Sequence, residues 1–245
     1  MKAAFNMWGN TRMIILVAVC AAIYSAALLA FKTAIPLIPG ITEVRVANIF
    51  PMVLGMLFGP AGAWGAAIGN LIGDTFGGTL TPASIAGFVG NFLLAYLPYA
   101  MWMTFLPFTV KSREWNPSRW RNWVNYFMIG FISSTACAVV ISISVDTLGI
   151  VPYAVLTKII TVNDTIGSYV GVILLMSVFR PTKQLGLFWA DIMEEREISQ
   201  PIAGTFGAWL VTVAAVAGLL GGVINVPAAT GWMCTLAIMG GCCLL

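Results

Sequence analysis

Long apolar runs alternate with short polar segments along the whole chain of 245 residues. A helix needs about 20 apolar residues to cross about 30 Å of hydrocarbon, and runs of roughly that length recur from one end of the chain to the other. We therefore predict membrane helices at eight positions: residues 13–31, 45–58, 61–76, 82–107, 122–145, 159–179, 201–224 and 228–245. The second, third and sixth are short, with glycine or polar residues at one end, which favours non-helical backbone beside a cavity.

Composition and charge placement agree with this topology. Hydrophobic residues make up 60% of the chain and charged residues 9%, which excludes a water-soluble core of ordinary composition. Lys and Arg concentrate in short cytosolic loops, and with both termini in the cytosol most basic residues lie there. These are Lys2, Arg12, Lys111, Arg113, Arg119, Arg121, Arg180, Lys183 and Arg196, against Lys32, Arg45 and Lys158 outside. The net charge of +3 thus reflects topology, and we expect no nucleic-acid partner.

The first apolar run resembles a secretory signal, because it follows Lys2 and Arg12 and is rich in small residues. Its length of about 19 residues exceeds a normal signal core. We therefore interpret it as a retained first helix.

The residue types needed for common enzyme chemistry are missing. The chain has no histidine, which is the commonest general base and metal ligand. No lysine follows a glycine, so a GxxxxGK[ST] phosphate loop is absent and any ATP-driven step needs a partner. The five cysteines lie in apolar spans without CxxC spacing, which favours buried packing. We expect no catalytic residue, no metal site and no cofactor.

Polar side chains near membrane depth are the natural candidates for function, because they are costly there unless they face a cavity or a partner. In the predicted topology they cluster towards the outer side, around the first loop, the third and fourth helices and the connection between the fifth and sixth. These candidates are Glu43, Arg45, Asn48, Asn70, Asp74, Asn91, Asp146, Lys158, Asn163 and Asp164.

Two stripes of small residues repeat at fourfold spacing. Gly65, Gly69, Gly73 and Gly77 lie beside Asn70 and Asp74 on the third helix, and indicate either close helix packing or a substrate groove. Ala18, Ala22, Ala26 and Ala30 give the first helix one smooth side. This second stripe fits either an internal helix contact or a docking face for a separate membrane subunit, and spacing alone favours the internal contact.

Two polar connections complete the pattern. Residues 111–121 form a basic segment with two tryptophans, which is typical of the membrane interface. Residues 189–197 contain four acids and one Arg, and we predict a short, solvated surface helix there.

Three segments together resemble the substrate-binding S-components of energy-coupling factor (ECF) transporters. Residues 57–74, with a Gly-Pro turn, spaced glycines and a late Asp74, are similar to the second-to-third helix turn of that family. The alanine repeat of the first helix looks like the helix that S-components dock on their coupling subunit, and residues 162–169 are similar to the last core helix. The resemblance spans about residues 12–180, and the hairpin after residue 200 departs from the six-helix core.

The apolar runs predict an all-α polytopic fold, and the resemblance implies a six-helix core within it over residues 1–180. A cytosolic connector over 181–200 and an extra hairpin over 201–245 follow this core. The resemblance also implies that a vitamin or related micronutrient is captured from outside, in a pocket closed by the loops after the first, third and fifth helices. The subunit would then topple in the bilayer against a transmembrane coupling subunit driven by two separate ATPases. The ten polar candidates become pocket residues, and the alanine stripe becomes the docking face.

The substrate stays open at this point. Residues 42–47 resemble queuosine-precursor S-components, while riboflavin, folate and cobalamin remain alternatives. Arg45 is the strongest candidate for an anionic or carbonyl-bearing ligand, because its planar donors fix orientation. Two other functions compete: a cell-envelope scaffold similar to MreD, and a stand-alone secondary transporter, which is disfavoured because the halves show no inverted repeat.

Overall fold

A computed structural model describes the chain except residues 32–35, 39–41, 44–45, 106, 109–111, 195–197, 199–201 and 226–227, and except the side chains of 36–38 and 42–43. The helices are α1 (Lys2–Asn6), α2 (Thr11–Ala30), α3 (Phe50–Phe58), α4 (Pro60–Phe76), α5 (Ala83–Met101), α6 (Trp120–Thr147), α7 (Tyr153–Gln184), α8 (Trp189–Ile192), α9 (Gly204–Ile224) and α10 (Ala228–Leu244). Short 3-10 turns cover Met7–Gly9 and Val46–Ile49, and strands β1 (Pro36–Ile38) and β2 (Thr42–Glu43) pair antiparallel.

The predicted all-α membrane fold is confirmed, since helices occupy all eight predicted positions. Within the described residues, five helical segments are long and apolar enough to cross a membrane: residues 11–30, 83–101, 120–147, 153–192, which joins α7 and α8, and 204–224. Two shorter apolar helical segments cover residues 46–58 and 228–244. The prediction of a short second helix is confirmed, because the 3-10 turn passes directly into the nine residues of α3.

Two predicted boundaries are wrong. The sixth predicted helix is not short, because α7 begins at Tyr153 and has 32 residues. The hydroxyl of Thr157 donates to the carbonyl of Tyr153 at 2.7 Å, so a polar residue is satisfied inside the first turns of the helix. The fourth helix ends at Met101 and not at residue 107. The chain turns there, and the carbonyl of Trp102 accepts a hydrogen bond from Asn125 Nδ2 at 2.8 Å.

The glycine stripe of α4 packs against α2. A Cβ added at Gly65 would lie 2.3 Å from Cys20 Cβ, and one added at Gly69 would lie 2.9 Å from the carbonyl oxygen of Ala21. Such distances exclude any side chain, so the two helix backbones approach closely along this seam. The packing interpretation of the glycine stripe is therefore correct, whereas the seam leaves no groove at these positions.

The two ends of the bundle differ in composition. One end, which we call the amide end, holds Tyr24, Asn48, Asn91 and Asp164, all buried. The opposite end, which we call the tryptophan end, holds Trp64, Trp102, Trp115 and Trp189. Successive long helices run between the two ends in opposite directions.

The connector after α7 is not a solvated helix, which corrects the sequence-based prediction. The observed helix α8 covers only Trp189–Ile192, and the side chains of Trp189, Ile192 and Met193 are buried. The ring of Trp189 lies edge-on to Tyr99 at a centroid distance of 4.8 Å and under the guanidinium of Arg113. The apolar side chains of this segment outweigh its acids, so it packs onto the tryptophan end. The remainder of the predicted helix, residues 195–197, lies outside the described residues.

The C-terminal hairpin of α9 and α10 packs against α6 and α7. Asn225 ends α9 in the left-handed conformation with φ of 56°, where Asn is the best-tolerated residue after Gly. Helices α9 and α10 approach each other at Gly207, where an added Cβ would lie 2.8 Å from the carbonyl oxygen of Gly241. The hairpin therefore lies on the α6 and α7 side of the bundle, while α2 packs mainly on α4.

Candidate functional site

A buried hydrogen-bond network joins four separate elements at the amide end. The Tyr24 hydroxyl, on α2, donates to Asn91 Oδ1 on α5 at 2.7 Å and lies 3.5 Å from Asn48 Oδ1. Asn48, in the 3-10 turn before α3, donates from Nδ2 to Asp164 Oδ1 on α7 at 2.5 Å. The four side chains, Tyr24, Asn48, Asn91 and Asp164, form what we call the amide network. It brings together three of the ten residues predicted from the sequence, with Tyr24 as an addition.

Local backbone geometry places these side chains. Gly167, three residues after Asp164, faces Asn48 so closely that an added Cβ would lie 2.8 Å from the carbonyl carbon of Asn48. The missing side chain lets the 3-10 turn reach α7. On α5, Asn91 Nδ2 donates to the carbonyl of Gly87 one turn earlier at 2.8 Å, which fixes the amide so that Oδ1 faces Tyr24.

A second polar group lies at the end of α4. Asn70 is buried, and its Nδ2 lies 3.4 Å from Asp74 Oδ2 on the same helix face. An added Cβ at Gly87 would lie 2.8 Å from Asn70 Nδ2, so Asn70 sits against α5 near the amide network. Among the described residues, Asn70 Oδ1 has no hydrogen-bond partner although it is buried. Such an acceptor is costly unless something donates to it.

Helix α7 presents further polar atoms on the side that carries Asp164. The side chains of Thr157, Thr161, Asp164 and Ser168 are all buried, at spacings of three and four residues. Thr161 Oγ1 and Thr165 Oγ1 are buried and have no partner within the described part of the chain. Below them, Ser168 Oγ lies 3.3 Å from Ser134 Oγ, and Tyr126 donates to the Ser168 carbonyl at 2.8 Å.

The other predicted site residues are placed apart from the amide network or are not described. Asp146 Oδ1 accepts from the backbone N–H of Tyr153 at 3.1 Å and so supports the start of α7. Lys158 is exposed and Asn163 is half-buried on α7. The side chain of Glu43 and all of Arg45 lie outside the described residues.

Tyr24 is the member of the amide network that is not among the ten residues predicted from the sequence. It stands in an otherwise apolar helix, where an aromatic residue is expected to pack against neighbours. Its polar tip late in a membrane helix was the available signal, since a buried Tyr hydroxyl usually finds a hydrogen-bond partner.

The alanine stripe of the first helix is exposed. Ala18, Ala22, Ala26 and Ala30 all lie on the outer surface, whereas Cys20, Ala21 and Tyr24 on the opposite side face α4 and the amide network. The structure therefore contradicts an internal contact at the alanines. Larger apolar side chains, Ile15 and Val19 among them, flank the stripe and are exposed as well.

The amide network consists of polar groups that can form hydrogen bonds. Carboxamides and a phenol offer hydrogen-bond donors and acceptors, and a carboxylate offers acceptors. In the described part of the chain, no group of three or more His, Cys, Asp or Glu side chains is placed to hold a metal ion.

Comparison with known families gives one match. Residues 14–180, more than half of the chain, match the family described as the QueT transporter. The matched range covers α3 to α6 and nearly all of α2 and α7, and leaves out the C-terminal hairpin. No curated protein sequence and no solved structure matches the chain.

Proposed function

Because the chain belongs to the QueT transporter family, a family of substrate-binding S-components of ECF transporters, we propose that it captures a queuosine precursor from outside the cell. It delivers the ligand by toppling in the bilayer against a transmembrane coupling subunit that two separate ATPases drive. The family match over residues 14–180 is the observation that carries this proposal. Membership also separates the chain from the envelope scaffold considered above.

The amide network supports the position of the ligand site. Polar side chains at membrane depth are retained where they line a cavity or bind a ligand, and four of them converge here from four elements. A 7-deazaguanine base presents amino and ring N–H donors beside a carbonyl acceptor. Asn48, Asn70, Asn91 and Asp164 supply the matching acceptors and donors. Glu43, Arg45, Asp74, Asp146, Lys158 and Asn163 remain proposed as further contacts around this centre.

The amide end faces outside in this proposal, and both termini are cytosolic. The placement of Lys and Arg supports this orientation. The ion pair between Glu114 and Lys183 joins two segments that are both predicted to be cytosolic, which agrees with their lying on one side of the membrane. Reporter fusions after Leu245 and within residues 148–152 test the orientation. A C-terminal fusion that is active only outside the cytosol would overturn the orientation.

Ligand binding is the first test of the substrate. Purified protein is titrated with 7-aminomethyl-7-deazaguanine, and riboflavin, folate and cobalamin serve as comparison ligands. We expect saturable binding of the deazaguanine with one site per chain. Saturable binding of riboflavin, folate or cobalamin in its place would refute the queuosine assignment while keeping the S-component function.

The exposed alanine stripe supports the docking step. Small residues let a partner helix approach closely, and here they are exposed on α2. We expect Ala22→Trp and Ala26→Trp to abolish uptake in cells while binding of the deazaguanine is unchanged. The matched control is Val213→Trp, which adds the same ring at an exposed position of α9. If the control and the stripe variants impair uptake equally, the docking face is wrongly placed.

A stand-alone secondary transporter is separated by reconstitution. Proteoliposomes that contain this chain without ATPase subunits should show no accumulation of the deazaguanine under a proton or sodium gradient. Accumulation driven by either gradient would replace the ATP-coupled mechanism with an ion-coupled one.

A further inference from the structure

The C-terminal hairpin is fitted closely to the part of the bundle that carries Asp164. An added Cβ at Gly218 of α9 would lie 2.6 Å from Val139 Cγ2 on α6, and one at Gly222 would lie 3.2 Å from Thr157 Cβ on α7. On α10, an added Cβ at Gly231 would lie 2.9 Å from Ile143 Cδ1. Missing side chains on both hairpin helices thus let them approach α6 and α7 closely.

Hydrogen bonds also connect the hairpin to the end of α6 and the start of α7. The Tyr153 hydroxyl, in the first turn of α7, donates to the carbonyl of Gly218 at 2.8 Å in a buried position. Trp232 Nε1 of α10 lies 3.2 Å from Thr147 Oγ1 at the end of α6. The backbone N–H of Tyr153 donates to Asp146. The end of α6, the start of α7 and the hairpin are therefore linked to one another.

Fastening α7 at its start determines where its polar side chains lie. Tyr153 and Asp164 are eleven residues apart, which is about 16 Å along a continuous helix. A helix transmits such a constraint because its backbone hydrogen bonds keep it straight over a few turns. Two contacts therefore position Asp164: the hairpin holds the start of α7, and Asn48 bonds to the Asp164 side chain.

We infer that the hairpin of α9 and α10 is a brace that positions α7 for ligand binding, with Tyr153 and Gly218 as positioning residues. This inference rests on the proposed function. The brace thus gives the hairpin a role in substrate binding although it lies outside the matched family range.

A pair of glycine variants tests the brace without ligand. Gly218→Ala places a Cβ 2.6 Å from Val139 Cγ2, so that α9 or the Val139 side chain must shift, whereas Gly240→Ala on α10 meets nothing within 4 Å and is the matched control. The full-length protein in nanodiscs is compared by amide hydrogen exchange. We expect Gly218→Ala to speed exchange about tenfold over residues 148–157 while Gly240→Ala leaves it unchanged. Faster exchange confined to α9 and α10 would overturn the inference.

A double-mutant cycle tests the positioning role with 7-aminomethyl-7-deazaguanine as the probe. Tyr153→Phe removes one hydrogen bond and should weaken binding about fivefold. If Tyr153 acts through α7, the loss falls below about twofold in an Asp164→Asn background and stays about fivefold in an Asn70→Ala background on α4. Equal losses in both backgrounds indicate general destabilisation and would overturn the inference.

The two tests separate this inference from the proposed function. If the wild-type protein binds no deazaguanine, the proposed substrate fails, and the exchange comparison of Gly218→Ala with Gly240→Ala still decides whether the hairpin braces α7. If Gly218→Ala does not fold, Tyr153→Phe, which keeps the ring and removes a single hydroxyl, replaces it in the exchange comparison with the same expected region.

Discussion

The side chains that define the amide end and the tryptophan end form different kinds of hydrogen bond. At the amide end, buried side chains bond to one another across helices, as Tyr24 does with Asn91 and Asn48 does with Asp164. At the tryptophan end, Trp64 Nε1 donates to the Ala4 carbonyl at 2.7 Å and Trp102 Nε1 to the Ser112 carbonyl at 3.0 Å. A side chain can exchange its partner for a ligand by rotating, whereas a backbone carbonyl moves only with its chain segment. We therefore propose that the amide end binds the ligand and that the tryptophan end stabilises the bundle.

The largest effect is expected from Trp189→Ala at the tryptophan end. The side chain is buried between Tyr99 and Phe188 and fills the space over Gly59. Its loss leaves a cavity and should lower the free energy of unfolding by about 3–5 kcal/mol, with ligand affinity unchanged. Thermal unfolding in detergent and equilibrium binding measure the two quantities.

Trp120→Ala is the control for this variant, because Trp120 is 70% exposed and its removal should cost less than about 0.5 kcal/mol. If Trp189→Ala lost more binding free energy than unfolding free energy, the assignment of binding to the amide end and stability to the tryptophan end would be wrong.

Asp164→Ala at the amide end should instead act on ligand affinity. It removes the acceptor of Asn48 Nδ2 and a proposed ligand contact, and hydrogen bonds to charged groups contribute about 1.5–3 kcal/mol. We therefore expect ligand affinity to fall by about 10- to 100-fold. Titration calorimetry measures this change. Wild-type affinity in the variant would remove Asp164 from the site.

Tyr24→Phe should produce a smaller change of the same kind. The substitution keeps the ring and removes the hydroxyl that donates to Asn91 Oδ1. One neutral hydrogen bond contributes about 1 kcal/mol, so affinity should fall about fivefold. Tyr99→Phe, at the tryptophan end, is the comparison and should leave affinity unchanged. Equal effects of the two variants on binding would contradict the assignment of the site to the amide end.

The smallest effect is expected from Glu114→Gln. The ion pair of Glu114 with Lys183 links the segment before α6 to the last turn of α7, and both side chains are partly exposed. Exposed pairs contribute less than about 1 kcal/mol, and salt screens them. Thermal unfolding at low and high salt should therefore differ more in the wild type than in the variant. An identical salt dependence would show that the pair contributes nothing to the tryptophan end.

The sequence predicted helix positions better than helix ends. All eight positions were found because apolar runs in a membrane protein must form helices to satisfy their backbone groups. The start of α7 was missed because Thr157 and Lys158 interrupt the apolar pattern. In the structure Thr157 bonds within the helix and Lys158 is exposed. The burial of the connector at Trp189 was not predicted, because acidic residues dominate the sequence of this segment.

The candidate site was partly predictable. Asn48, Asn91 and Asp164 are amides or acids within or beside apolar runs, and their cost at that depth identifies them in the sequence. Which of the ten candidates meet was not predictable, because it depends on the close approaches at Gly167 and Gly87. Asp146, of the same chemical class, supports the start of α7.

The two small-residue stripes show what the sequence determines and what only the tertiary structure determines. The sequence by itself determined the membrane as solvent, the helix positions and a set of polar candidates, because these follow from the cost of polar groups in hydrocarbon. The fourfold spacing of Gly65 and Gly69 on α4 is the same as that of Ala18 and Ala22 on α2, yet only the glycines are buried against a helix. The tertiary structure decided this, because spacing places residues on one face of a helix and only packing determines what that face meets.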